Sequence, residues 1–76
     1  MTIEEVLVKF YGEEAQYVVG RLYRIGDKKV IYSLGKPSWV GNDKLEFIDG
    51  KLCKIGKNIV KYRRSNVLSI GNVKIK

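Results

Sequence analysis

The chain has no histidine, one cysteine, one proline and one tryptophan. Each scarcity excludes something. Without imidazole, the side chain most used for acid–base work near neutral pH is missing. Cys–His and Ser–His nucleophile pairs are ruled out, as are zinc sites that need a histidine ligand. The lone Cys53 cannot form an internal disulfide and points to a reducing, cytoplasmic setting. It sits in a strand-like run, where it reads as a small buried hydrophobe. No apolar run approaches the roughly 18 residues of a membrane span. The first residues carry acids where a secretory leader would carry bases, so no signal peptide is expected. A carboxylate pair for acid–base chemistry is conceivable among the eight acids, but adjacent ones such as Glu13 and Glu14 read as charges flanking a turn. The expectation is a non-enzyme with no cofactor, no metal site, no membrane segment and no small-molecule substrate.

What is present is a short chain that repeats itself. Seventy-six residues, 45% of them apolar, make one small domain that buries about 60% of its unfolded surface. "GRLYRIGDKKVIY" (20–32) returns as "GKLCKIGKNIVKY" (50–62) with six identities: Gly20/Gly50, Leu22/Leu52, Ile25/Ile55, Gly26/Gly56, Val30/Val60 and Tyr32/Tyr62. Chance would supply about one. Each copy reads as strand, glycine turn, strand, and "LSIGNVKI" (68–75) is a weaker third instance. Glycine at the reversal adopts the φ that the turn needs without steric cost. Asp49–Gly50 favours a tight hairpin.

Almost every other segment also reads as strand. "EVLVKFY" is rich in β-branched and aromatic residues, although Thr2 with Glu5 could form a capping box. "GKPSWVGND" (35–43) holds the only proline and reads as the longest loop. The expected architecture is all-β over residues 1–76: an antiparallel meander of seven or eight short strands curled into a barrel of SH3-like or OB-like size. Closure would remove exposed edges. The alternative is an open sheet or half-barrel that dimerises.

Charge is distributed unevenly. Residues 1–19 carry four acids and one base, a net of −3, whereas residues 20–76 carry fourteen bases and four acids, a net of +10. No acid follows Gly50. A polarised field of this kind attracts polyanions. Strand alternation places Tyr23, Ile25, Val30 and Tyr32 on one side of the first hairpin, with Cys53, Ile55, Val60 and Tyr62 matching them in the second. The opposite parity holds Leu22, Arg24, Lys29, Ile31 and Ser33, then Leu52, Lys54, Ile59, Lys61 and Arg63. A one-residue bulge would flip part of this pattern.

The candidate nucleic-acid contacts are therefore Arg24, Lys29, Lys36, Lys54, Lys61, Arg63, Arg64 and Lys74, with Trp39 beside Lys36 as a stacking residue or a plug at the barrel end. Tyr23 and Tyr11 are weaker aromatic candidates. The partner could be DNA or RNA. Scattered lysines that only protect edges and confer solubility or heat stability are the plainer reading. A homo-oligomer or a subunit of a larger protein complex, pairing the acidic start with the basic end, is the competing function. Locally, "VKFYGEE" followed by "RLYRIGDKKVIYS" resembles the first half of the crenarchaeal 7-kDa chromatin proteins, small basic barrels whose three-stranded sheet lies in the DNA minor groove. The resemblance covers under half of the chain. Tyr23 stands where those proteins have an exposed sheet tryptophan, and an all-strand C-terminal half departs from their closing helix.

Overall fold

The computed structural model describes residues 2–75. It opens with a helix, α1 (Ile3–Tyr11), where a strand was expected. The reason lies at its ends and along one face. Thr2 caps the first turn and forms the reciprocal capping box with Glu5 (2.7 and 3.2 Å), and Gly12 closes the helix in the left-handed region. The hydrogen bonds from Thr2 hold the Glu5 carboxyl below its usual range. Ile3, Val6, Leu7 and Phe10 recur at helical spacing, a stripe hidden in the sequence by the β-branched run. Val6 and Leu7 are buried against the sheet.

Nine strands follow in a simple antiparallel meander: β1 (Ala15–Val18), β2 (Arg21–Ile25), β3 (Lys28–Ser33), β4 (Lys36–Val40), β5 (Asp43–Ile48), β6 (Lys51–Ile55), β7 (Asn58–Arg63), β8 (Asn66–Ile70) and β9 (Val73–Lys74). The sheet is open, with β1 and β9 at its two edges. The closed barrel is thus corrected to the open-sheet alternative, and β1 does not pair with the last strand. Eight inter-strand gaps of about 4.8 Å make an arc of about 38 Å. That exceeds the molecule's longest extent of 31 Å, so the sheet curves. Its concave face holds α1. Ile3 and Val6 reach a groove shared with Leu52, Tyr62 and Val67, while Tyr11 at the other helix end bonds to Asp43.

The true period is fifteen residues, half the spacing of the echo. Gly26, Gly41, Gly56 and Gly71 each open a two-residue turn with positive φ, and each donates its N–H to the carbonyl twelve residues back (2.7–3.0 Å). The intervening unit is the segment read as a loop. It forms β4, in which Pro37 is buried where the other units have Leu22 and Leu52. The longer hairpins turn through Val19–Gly20, Leu34–Gly35, Asp49–Gly50 and Arg64–Ser65, all with positive φ at both positions, the type I′ pattern. Glycine is absent from the last pair, and Val19 adopts a φ that a β-branched residue resists.

One irregularity recurs with the same period and overturns the parity argument. Gln16 pairs with Arg24 but Tyr17 pairs with Leu22, so Tyr23 is an extra residue on β2. The same shift leaves Ser38, Cys53 and Leu68 extra on β4, β6 and β8. Such a bulge reverses the alternation on one side of it. Leu22 and Leu52, expected outside, are 1% and 2% exposed. Tyr23, expected inside, is exposed, and Cys53 is half-buried. The core is a periodic set, Leu22/Ile25/Val30, Val40/Leu45, Leu52/Ile55/Val60 and Ile70/Ile75, closed by the helix.

Candidate functional site

The tip-side halves of neighbouring long hairpins are joined by side chains. In the unit starting at β3, the Tyr32 hydroxyl donates to the Leu22 carbonyl at 2.9 Å, and thirty residues on Tyr62 donates to Leu52 at 2.6 Å. Phe47 occupies the equivalent place without a hydroxyl. A cation covers each ring: Arg21 over Tyr32 (4.6 Å), Lys36 over Phe47 (5.4 Å) and Lys51 over Tyr62 (5.8 Å). Burial pushes the Tyr32 and Tyr62 phenols up. Lys36, the expected neighbour of Trp39, reaches over the Phe47 ring.

The convex face carries three outward positions per unit. These are Gln16–Arg24–Lys29, Ile31–Trp39–Lys44, Glu46–Lys54–Ile59 and Lys61–Ser69–Lys74, each row being cross-strand neighbours. Between them along each strand lie the buried residues of the core. Arg24, Lys29, Trp39, Lys54, Lys61 and Lys74 therefore share one face, although its curvature spreads them along an arc. Trp39 lies in a strand between Ile31 and Lys44 and is 37% exposed, so it is neither in a loop nor at a barrel end. Lys44 belongs to the same face. Its place one period after Lys29 was the signal for it, and the loop reading concealed that.

The densest positive region is the fourth long hairpin. Lys61 and Arg63 are two residues apart on β7 and both exposed, Arg64 stands at the turn, and Lys74 lies beside Ser69. Arg63, Arg64, Asn66, Val67 and Leu68 line a groove of about 330 Å³. Among the described residues, the ion pairs are those of Lys28, with Glu13 at 2.7 Å and Asp27 at 3.5 Å. Bonding to Glu13 raises the Lys28 pKa. Arg24, Lys29, Lys54, Lys61, Arg63, Arg64 and Lys74 take part in no ion pair among the described residues. Arg24 adds a buried Nε with no hydrogen-bond partner and a guanidinium 5.7 Å over the Tyr23 ring.

At the opposite end of the strands, a polar row follows the period. Glu13, Lys28, Asp43 and Asn58 each lie against the next unit's turn glycine. Tyr11 donates to Asp43 at 2.8 Å and lies 5.4 Å from the Lys28 ammonium. Burial, then the bond to Asp43 and its charge, push the Tyr11 phenol well up. This row ties the helix to the sheet. No cluster of three or more His, Cys, Asp or Glu able to hold a metal occurs among the described residues, and no helix there is long and apolar enough to cross a membrane. The "VKFY" of the chromatin-protein resemblance ends a helix here, so that likeness does not extend to the fold. No protein family model, curated protein or solved structure matches this chain.

Proposed function

We propose that this chain is a small nucleic-acid-binding module that grips phosphates through the convex face of its sheet, with little sequence preference. The observation that carries the reading is a set of cations from several units, Arg24, Lys29, Lys44, Lys54, Lys61 and Lys74, on one side of the sheet with a single acid, Glu46, among them. None of them is in an ion pair within the described residues. Release of condensed counterions by such groups gives affinity that falls steeply with salt. Ile31, Trp39 and Ile59 supply apolar contact between the cations. Titration of labelled nucleic acid at two salt concentrations tests the reading: binding that is lost as salt rises supports it, and no binding at low salt refutes it.

A second reading, self-association, is favoured by a different observation. The β1 edge leaves Tyr17 and Val18 exposed, and Val19 in the turn that follows is almost fully so, at 99%. An unpaired apolar edge is a template for strand addition. Light scattering that reports a monomer at every concentration and salt excludes it.

A further inference from the structure

The eight turns of the meander alternate between the two ends of the sheet, and the two ends differ in chemistry. At one end the turn glycines are followed by Asp27, Asn42, Lys57 and Asn72, all polar. At the other, where the long hairpins reverse, aliphatic side chains project into solvent. Val19 and Leu34 at the turns are 99% and 100% exposed, and Val18 and Ile48 just before a turn are exposed as well. Val19 and Leu34 hold φ of 51° and 53°, where asparagine, aspartate or glycine fits the turn better, as Asp49 does in the third hairpin. The first two hairpins thus keep a strained, fully hydrated aliphatic where a relaxed polar residue would suit the fold. Strain that the fold does not require marks a surface under another constraint.

Cations collar these tips. Arg21, Lys36 and Lys51 each stand two residues after the first turn position, and Arg63 and Arg64 extend the row at the fourth hairpin, all of them exposed. Asp49 is the single acid among residues 17–22, 32–37, 47–52 and 62–67, which form this end. We propose that the long-hairpin end docks on the surface of an anionic lipid bilayer, with Val19 and Leu34 sunk beneath the headgroups and the cations among the lipid phosphates. Two residues of extended strand span about 6.6 Å, and the headgroup layer of one leaflet is about 5–8 Å thick. Aliphatic tips at the acyl boundary therefore leave Arg21, Lys36 and Lys51 level with the charged groups. Neighbouring tips are two strand spacings apart, about 10 Å. Separate prongs of this kind offer no continuous apolar face to a folded partner, whereas fluid acyl chains close around each one. A nucleic acid would use the cations and leave the aliphatics in water. The site is distinct from the convex face proposed above for nucleic acid and does not depend on it.

The test is co-sedimentation of the full chain with vesicles of phosphatidylcholine alone and of phosphatidylcholine containing about a third phosphatidylserine, at low and at physiological salt. The anionic vesicles should take up the protein, and the neutral ones far less. Val19→Asn with Leu34→Asn should weaken that uptake by about a hundredfold, about tenfold for each aliphatic withdrawn from the acyl chains. The same pair should raise the melting temperature, because asparagine relaxes both turns, so the lost binding would not come from misfolding. Arg21→Gln with Lys36→Gln should weaken uptake by about 25-fold, about fivefold for each charge near the surface, and Asp49→Asn should strengthen it. Nucleic-acid affinity should be unchanged by the asparagine pair, which keeps this site apart from the convex face. No uptake by anionic vesicles at low salt overturns the proposal. Uptake that the asparagine pair leaves intact also overturns it, since the contact would then be charge alone. Concentration-dependent self-association abolished by that pair would assign the tips to a second copy and overturn it as well.

Discussion

Tyr32, Phe47 and Tyr62 take equivalent seats between successive long hairpins and differ by one atom, and that difference makes the repeat testable. Tyr32 and Tyr62 each close a hydroxyl–carbonyl bond ten residues back, at 2.9 and 2.6 Å, both within the ordinary range. Phe47 sits at the same address opposite Pro37 with nothing to donate. Removing either hydroxyl leaves a partly buried carbonyl uncovered and should cost about 1 kcal/mol. For a domain of this size that lowers the melting temperature by about 4–8 °C. The seats belong to different hairpin pairs, so Tyr32→Phe with Tyr62→Phe should lose about 2 kcal/mol, the sum of the two. Phe47→Tyr should run the other way and gain about 0.5–1 kcal/mol by donating to the Pro37 carbonyl. Denaturant unfolding followed by circular dichroism measures all four variants on one scale. A destabilised Phe47→Tyr, or tyrosine deletions without effect, would refute the equivalence of the units.

Thr2→Ala should destabilise the helix by about 1 kcal/mol, seen as a lower unfolding midpoint. Gly56→Ala should cost more than Gly20→Ala, because both glycines have positive φ but only at Gly56 would a new Cβ meet Asp43, at 2.8 Å; equal losses by thermal melting would remove the packing part of that claim. Val19→Asn should stabilise by about 0.5–1 kcal/mol, since asparagine accepts the left-handed φ of 51° that valine resists, and an unchanged melt would count against strain there. The Tyr11 phenol is raised above its ordinary 10.0 by burial and its bond to Asp43. Its stabilising contribution is therefore complete below pH 10 and disappears as pH rises beyond that value towards the folded-state pKa. Tyr11→Phe should lose the contribution at neutral pH and show a shallower alkaline decline, which a pH series of unfolding curves checks.

Much of the sheet could be read from residues 20–34 and 43–75, where a β-branched or aromatic run meets a glycine turn. Two features were not legible, each for a physical reason. In "EEVLVKFY" strand propensity and a helical stripe compete, and the caps Thr2, Glu5 and Gly12 decide the outcome together with burial of Val6 and Leu7. In "GKPSWVGND" proline and three turn formers imitate a loop, yet Pro37 fits a strand because its side chain fills the core place of Leu22. That misreading halved the number of visible units and hid Lys44. The basic side chains survived the error. Arg24, Lys29, Lys54, Lys61 and Lys74 lie beyond the bulge on each unit, where alternation resumes, whereas Leu22, Tyr23, Leu52 and Cys53 lie before or at it.

The most direct measurement is the salt dependence of single-strand affinity for the parent chain and for Lys61→Gln with Arg63→Gln. A plot of log affinity against log salt should fall steeply for the parent, by about 0.7 per phosphate contact. The double variant should lose about two contacts from that slope while melting at the same temperature, since both side chains are exposed. Identical slopes for the two proteins, or affinity indifferent to salt, would contradict phosphate binding by the convex face.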